Sequence, residues 1–186
     1  MMKFLSPLFL AALVACTSAP ANRLEFSPVS SELRIRALVG SVMLRTVSLP
    51  TYAASEEVAV EISPGVIGTS ADILWADDPE RAVTLSMTQQ LDEILNATVG
   101  PEPWPFVGLP DVAVDVRVTQ MLAGTDGSFR LSGQYFVGGD GISFRNSSHS
   151  FDIVEPLSGA GSKAIANAQA RAVLRLSEDI ARRLGR

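Results

Sequence analysis

Cysteine and histidine are almost missing from this sequence: each occurs once in 186 residues, as Cys16 and His149. A single cysteine cannot form a disulfide within the chain, and a single histidine cannot supply a multi-histidine metal site. The chain also lacks the Gly-x-Ser-x-Gly segment that positions the nucleophile of many hydrolases. We therefore expect no catalytic residues, no bound metal and no dissociable cofactor.

Basic residues are also too few to form a broad cationic surface. The formal net charge is -5, and nucleic-acid phosphates select for the opposite sign, so we expect no nucleic-acid partner. After the first fifteen residues, no apolar run is long enough to cross a bilayer. The length suits one domain whose core can form without metal or disulfides.

The amino-terminal residues have the organisation of a bacterial export signal. A short basic start containing Lys3 precedes an apolar stretch from Phe4 to Ala15, which is too short to span a membrane. The stretch ends in Leu-Val-Ala-Cys, the lipobox pattern of bacterial lipoproteins. The sequence thus predicts a signal peptide at residues 1–15, cleavage between Ala15 and Cys16, and diacylglycerol on Cys16. The alternative is an ordinary secretory signal followed by a chance cysteine.

The residues that follow the cysteine bear on location and domain boundaries. Thr17 stands where enterobacterial sorting rules place aspartate for inner-membrane retention, so resemblance to those rules favours the periplasmic face of the outer membrane. Serine, proline and alanine dominate up to Ser31, which predicts a lipidated flexible tether over residues 16–33. A single globular domain is then expected over residues 34–186.

Hydrophobic periodicity predicts the elements of that domain. Strands are expected at residues 35–49, 58–62 and 66–69, and a helix at 81–98 after the acids and proline of residues 77–80. Further strands are expected at residues 112–118, 129–135, 142–144 and 151–153, before a long amphipathic helix at 163–184. An antiparallel meander needs one face covered. We expect an α+β two-layer sandwich, a mainly antiparallel sheet with two amphipathic helices packed on one face.

Several segments, in order, resemble the ABC-type transport auxiliary lipoprotein family, the PqiC-like proteins. Val47 to Tyr52 resembles the family's strand ending in Leu-Pro and an aromatic residue, and Leu74 to Pro79 resembles its Arg-Trp-Ala-Glu-Pro segment. Pro103-Trp104-Pro105 and the strand after Pro110 resemble its proline-tryptophan loop and the strand that follows. Two departures affect partner contacts: Leu74 replaces the usual arginine, and residues 54–57 replace a basic stretch.

The resemblance implies a role in lipid transport between membranes. Such a system has an inner-membrane permease, an ATPase and an MCE-domain protein that bridges the envelope. The lipoprotein would dock the far end of the bridge at the outer membrane, and would meet the permease and ATPase only indirectly. Some family members form rings, so a homo-oligomer is also expected. The covalent lipid on Cys16 would supply its contact with the membrane.

Four residues are candidates for contact with a partner protein. Trp75 and Trp104 stand beside prolines in predicted connecting segments, where an exposed aromatic side chain could bind a partner. Leu49 and Tyr52 lie beside a similar break. The alternative for each is that it covers an end of the core, because tryptophan is usually mostly buried. The two tryptophans could also pack on each other.

Other functional classes are open from the sequence alone. A stand-alone envelope lipoprotein that binds lipid or glycan in its own pocket is the second hypothesis, and an enzyme is the third. His149 lies in a polar run, which favours a surface position. Gly159 to Lys163 does not have the spacing of a phosphate-binding loop and is better interpreted as a helix start.

Overall fold

The structure, a computed structural model, describes residues 22–27, 29–139 and 144–185. Their order is β1 (Asn22–Leu24), β2 (Ser41–Leu44), α1 (Thr51–Ala54), β3 (Glu57–Ser63), β4 (Val66–Trp75), α2 (Pro79–Ile94), β5 (Thr98–Pro101), β6 (Val112–Ala123), β7 (Ser128–Gly139), β8 (Ser147–Pro156) and α3 (Ser162–Leu184). The signal peptide and the lipidation site at Cys16 lie outside the described residues.

One mixed sheet contains every described strand. β6, β7 and β8 form an antiparallel meander, and β3 and β4 form an antiparallel hairpin. β2 runs parallel to both β5 and β6, while the hairpin joins the sheet where Val60 lies opposite Ala123. β1 runs parallel to β4 at one edge of the sheet, with Asn22 opposite Ile73.

The second helix starts and ends for local reasons. The Asp78 carboxylate accepts a hydrogen bond of 2.8 Å from the backbone N–H of Arg81, and Pro79 occupies the first turn. An acid at this position satisfies an amide that has no partner within the helix. The buried face repeats at helical spacing, through Val83, Met87, Leu91 and Ile94. The helix was expected at residues 81–98 and ends four residues earlier.

The long carboxy-terminal helix was predicted almost to the residue. Its buried face includes Ala168, Ala172, Leu176, Ile180 and Leu184, spaced so that they share one side of the helix. Against them lie inward-facing side chains of the meander, which alternate along each strand: Val112, Val114, Val116 and Val118 of β6, then Phe129, Leu131, Tyr135 and Val137 of β7. The α+β fold class is confirmed.

A buried carboxylate fixes the long helix to the sheet. Glu155 of β8 accepts a hydrogen bond of 3.0 Å from Nε of Arg171 and forms an ion pair with Arg175, whose Nε lies 2.9 Å from the carboxylate. The phenolic hydroxyl of Tyr135 in β7 also donates to Asp179 of α3, at 2.9 Å. Burial first, and then this bond to a carboxylate, raise the pKa of Tyr135 above its ordinary value. Apolar burial therefore packs α3 against the sheet, and these polar contacts fix its position along the sheet.

Several parts of the predicted arrangement differ from the structure, and most of the strand expected at residues 142–144 lies outside the described residues. The expected strand at residues 35–49 is reduced to Ser41–Leu44, with isolated bridges at Ile35, Ala37 and Ser48. The short strand expected at residues 66–69 continues to Trp75. β5 was not expected, because the predicted helix extended to Thr98, where this strand begins.

The predicted tether is also shorter than expected within the described part of the chain. Residues 22–24 are paired in the sheet as β1. Ser31 is buried, and its hydroxyl donates to Glu178 of α3 at 2.6 Å. Residues that lie in a sheet or in the core cannot act as a loose spacer, so Asn22–Leu24 and Ser31 belong to the folded domain and not to a tether.

None of the helices in the described ranges is long and apolar enough to cross a bilayer.

Candidate functional site

Leu49 and Tyr52 lie at the turn into α1 and pack against the sheet. Leu49 is buried, and its backbone N–H donates to Glu80 at 3.0 Å. Tyr52 is half-buried, and its hydroxyl oxygen accepts a hydrogen bond of 3.2 Å from the backbone N–H of Met121 in β6. These contacts fit the alternative that the two residues cover part of the core, and their binding of a partner stays a prediction.

Trp75 ends β4 and is buried against Val58 and Ala166. Its backbone is held on both sides: the N–H donates to Glu56 at 2.6 Å, and the carbonyl accepts from the Arg23 guanidinium at 2.9 Å. The side chain has little surface to offer a partner. Trp75 therefore also fits the role of covering the core.

Trp104 has a different setting, in the loop of residues 102–111 that joins β5 to β6. Its ring meets the Phe106 ring edge to face, with centroids 4.9 Å apart. Both rings lie over Gly100 of β5, where a Cβ atom would approach them to 3.0–3.1 Å. The tryptophans thus pack at different places and do not form the pair considered from the sequence.

The same β5–β6 loop exposes an apolar surface beside Trp104. Val107 is fully exposed, Leu109 is 92% exposed and Phe106 is 48% exposed. Contiguous exposed apolar residues are typical of interaction sites. Within the described part of the chain, the indole Nε1 of Trp104 is buried and has no hydrogen-bond partner. Of the four candidates, only Trp104 belongs to an exposed apolar surface.

A second exposed apolar surface occurs at the hairpin tip, which we define as residues 62–67 between β3 and β4. Ile62, Val66 and Ile67 are 63%, 48% and 39% exposed. Gly65 makes the turn with φ +76°, a conformation that favours glycine. The sequence analysis missed this surface, although apolar residues on both sides of a Pro-Gly turn are a visible signal in the sequence.

A groove of about 660 Å³ lies between the segment after β1 and helix α2. Its lining mixes charged, polar and apolar side chains, including Arg23, Glu25, Phe26, Asp77, Leu85 and Gln89. Ser86 also lines it, and within the described residues the Ser86 hydroxyl is buried without a hydrogen-bond partner. This groove is the feature that corresponds to the alternative of a ligand-binding lipoprotein.

His149 lies on β8 and is half-buried. Its ring packs on Tyr135, with centroids 5.0 Å apart, and its Nε2 lies 3.0 Å from the Ser147 hydroxyl. Within the described ranges, no group of three or more histidine, cysteine or acidic side chains is placed to hold a metal ion. The Asp78 carboxylate instead accepts from the backbone N–H of Arg81 in the first turn of α2, and the Asp77 carboxylate accepts from the backbone N–H of Asp78.

Comparison with known structures places this fold in a recognised class. The crystal structure of an uncharacterized protein aligns with a TM-score of 0.72 and 19% identity, over 88% of this chain and 99% of that one. The crystal structure of protein XCC0632 from Xanthomonas campestris aligns with a TM-score of 0.62 and 15% identity, over 88% and 91%. Identities this low show a shared fold.

The sequence defines the family more closely. The family model for the ABC-type transport auxiliary lipoprotein component matches residues 24–181. The chain belongs to this family, as its ordered motifs had indicated. No curated protein matches it. The chain is therefore an envelope lipoprotein associated with an ABC-type transport system.

Proposed function

We propose that this chain is a non-catalytic lipoprotein that docks the periplasm-spanning MCE-domain protein of a lipid transport system. Acyl chains on Cys16 hold it at the periplasmic face of the outer membrane. The observation that carries this proposal is the family match over residues 24–181. The lipobox before Cys16 and the threonine after it support the location.

The β5–β6 loop is the surface that best fits the docking role. It presents Val107 and Leu109 beside the aromatic pair of Trp104 and Phe106. Interfaces between proteins are enriched in aromatic residues at their centres, with apolar contacts around them. The loop returns to the sheet at Val112, where β6 begins.

The position of the loop also suits a bridge between membranes. β6 runs from Val112 to Ala123, a rise of roughly 36 Å at about 3.3 Å per residue. At its far end, Ala123 lies opposite Val60 of the β3–β4 hairpin, and β1 is paired with that hairpin. The segment that leads to Cys16 therefore leaves the domain far from the β5–β6 loop, which can face an incoming partner.

The proposal is tested by isolating the acylated chain from detergent-solubilised envelopes of cells that express the transport system. We expect an MCE-domain protein to co-purify with it. A form carrying Val107→Glu and Leu109→Glu should lose that protein, because two carboxylates cannot be buried in an apolar contact. Leu85→Glu changes an exposed leucine on α2 and serves as the control. Absence of MCE-domain proteins from every eluate contradicts the proposal.

The groove beside α2 favours a second candidate, a lipoprotein that binds a lipid or glycan itself. The same purified material distinguishes the two functions. Solvent extraction followed by mass spectrometry should find no lipid at near-stoichiometric amount, because the acyl groups on Cys16 are covalent and stay with the protein. A phospholipid or glycan at near-stoichiometric amount, lost in Arg23→Ala or Gln89→Ala, would favour the second candidate.

A further inference from the structure

The hairpin tip is exposed, apolar and uncharged. From Ile62 to Thr69 the sequence contains no acidic or basic residue. The charged residue that directly precedes this stretch is Glu61, whose carboxylate accepts hydrogen bonds from the backbone N–H groups of Gly65 and Thr125, at 3.1 and 3.3 Å. The carboxylate is therefore held at the base of the tip, and the three aliphatic side chains extend without a charge among them.

Strand pairing shows on which side of the domain the tip lies relative to the amino terminus. β4 runs away from the tip. β1 runs parallel to β4, with Asn22 opposite Ile73 and Leu24 opposite Trp75. Asn22 is thus the end of β1 nearer to the tip. The chain before Asn22 leaves the sheet on the same side as the hairpin tip.

The distances bring the lipidation site and the tip to the same region. Cys16 precedes Asn22 by six residues, which span at most roughly 20 Å when fully extended. Ile73 lies opposite Asn22, and the next residue, Leu74, lies opposite Glu57. Glu57 precedes Ser63 at the tip by six residues along β3, or roughly 20 Å. A bilayer that holds the acyl chains of Cys16 therefore lies within reach of the hairpin tip.

From this geometry we propose that the hairpin tip inserts into the interfacial region of the bilayer, as a second membrane attachment beside the acyl chains. The inference rests on the proposed acylation of Cys16. Ile62, Val66 and Ile67 would enter the region between headgroups and acyl chains, where apolar side chains are stabilised. A lipid surface is the occupant, because the short segment after Cys16 keeps the tip beside the membrane.

A second attachment point has a mechanical consequence. One acylated residue leaves a domain free to rotate about its tether, whereas a second contact on the same side fixes its orientation. The long axis of β6 would then point away from the membrane. The β5–β6 loop, at the other end of β6, would face the periplasm and the proposed partner.

The proposal is tested with a fluorescent probe at the tip of the full acylated chain. Because Cys16 is the only cysteine and its sulfur is consumed by the lipid, Val66→Cys supplies the single free thiol. The protein is labelled with an environment-sensitive dye and reconstituted into phosphatidylethanolamine–phosphatidylglycerol vesicles, with or without spin-labelled lipid. Val107→Cys, in the exposed β5–β6 loop, is the matched control.

We expect a blue-shifted emission at Val66, quenching by the spin-labelled lipid, and several-fold weaker quenching by aqueous iodide than at Val107. Equal iodide quenching at the two positions overturns the insertion. Protection from iodide without quenching by spin-labelled lipid also overturns it, because protein rather than lipid then covers the tip. Adding Ile62→Ser and Ile67→Ser to the labelled protein should remove the blue shift.

The intact mass of the protein distinguishes a failure of acylation from a failure of hairpin insertion. Protein without a lipid on Cys16 overturns the proposed acylation, and the two-point attachment with it. Acylated protein whose Val66 probe stays in water overturns the hairpin insertion alone and leaves the proposed function standing.

Discussion

The hydroxyl of Ser177 in α3 donates a buried hydrogen bond of 2.8 Å to the side-chain oxygen of Gln90 in α2. The Gln90 amide nitrogen in turn donates to the backbone carbonyl of Val29, at 3.0 Å. One polar pair thus connects the two helices and the segment before β2. Because both side chains are buried, neither can replace its partner with bulk water.

Ser177→Ala should lower the free energy of unfolding by about 1–3 kcal/mol, because it leaves the Gln90 oxygen buried without a donor. Denaturant unfolding of the purified protein measures the change. Asn167→Ala, at an exposed position of the same helix, should change it by less than about 0.5 kcal/mol. Equal effects of the two substitutions would show that the buried bond contributes nothing specific.

Glu155→Gln should destabilise the protein by about 1–3 kcal/mol. The glutamate side chain is only 6% exposed and meets two guanidinium groups, and the substitution removes the charge that both contact. Glu56→Gln is the control, because the Glu56–Arg23 pair is exposed on both sides and such pairs contribute about 0–1 kcal/mol. Thermal unfolding of both variants checks the prediction, and a larger effect at Glu56 would contradict it.

Tyr135 should make the protein less stable at alkaline pH. Its pKa is raised above the ordinary value of 10.0, first by burial and then by the hydrogen bond to Asp179. The folded state therefore favours the neutral phenol. This contribution is complete below pH 10.0 and is lost as the pH rises further, because the unfolded chain ionises more readily.

Absorbance of tyrosinate in a Tyr52→Phe background measures this directly, since the chain has two tyrosines. The remaining signal from Tyr135 should appear only together with loss of the circular dichroism of the folded state. Ionisation at the ordinary pKa in a protein that is still folded would contradict the assignment. Tyr135→Phe should remove the alkaline decrease in stability.

Val107→Glu with Leu109→Glu should weaken binding of the MCE-domain partner at least tenfold, a change of about 1.4 kcal/mol or more. Both side chains are exposed, so each substitution should change the free energy of unfolding by less than about 0.5 kcal/mol. Binding is measured between purified partners in detergent. Unchanged affinity would assign docking to another surface.

Cys16→Ala should abolish incorporation of labelled fatty acid, because the substitution removes the thiol that is the proposed acceptor of diacylglycerol. Labelling of the wild-type chain and the variant in growing cells, followed by isolation of the protein, gives the measurement. Thr17→Asp leaves the cysteine in place and should keep the label while moving the protein to the inner-membrane fraction. Label retained in Cys16→Ala would contradict the prediction.

Local patterns predicted the elements whose signals lie within one stretch of chain. The alternating valines of β6 and the helical spacing from Val83 to Ile94 each report one buried face, and both elements are present. Asp78 and Pro79 marked the start of α2 because a helix start is a local requirement. The fold class followed from these long elements.

Elements that depend on distant pairing were missed. β1 and β5 have only three and four residues, and each exists because a parallel partner far along the chain supplies its hydrogen bonds. Asn22–Leu24 carries no alternating pattern, so it was assigned to a tether. No local signal distinguishes such strands from a loop.

The candidate site divides in the same way. A tryptophan beside a proline indicates a connecting segment, but whether it is covered depends on elements elsewhere: α3 contributes Ala166 against Trp75, whereas the loop around Trp104 has exposed neighbours. The apolar residues at the hairpin tip could be identified from the sequence. Their exposure could not be predicted, because alternation alone does not show that β3 and β4 extend past the end of β6.

The parallel pairing of β1 with β4 determines how the domain responds when tension reaches it through its lipidated end. A pull on the residues before Asn22, toward the hairpin tip, acts along the strands and loads the backbone hydrogen bonds of β1 together, in shear. The same pull directed across the strands would load and break those bonds one after another. The pairing of the amino-terminal strand therefore resists force best in the direction in which a membrane would pull it.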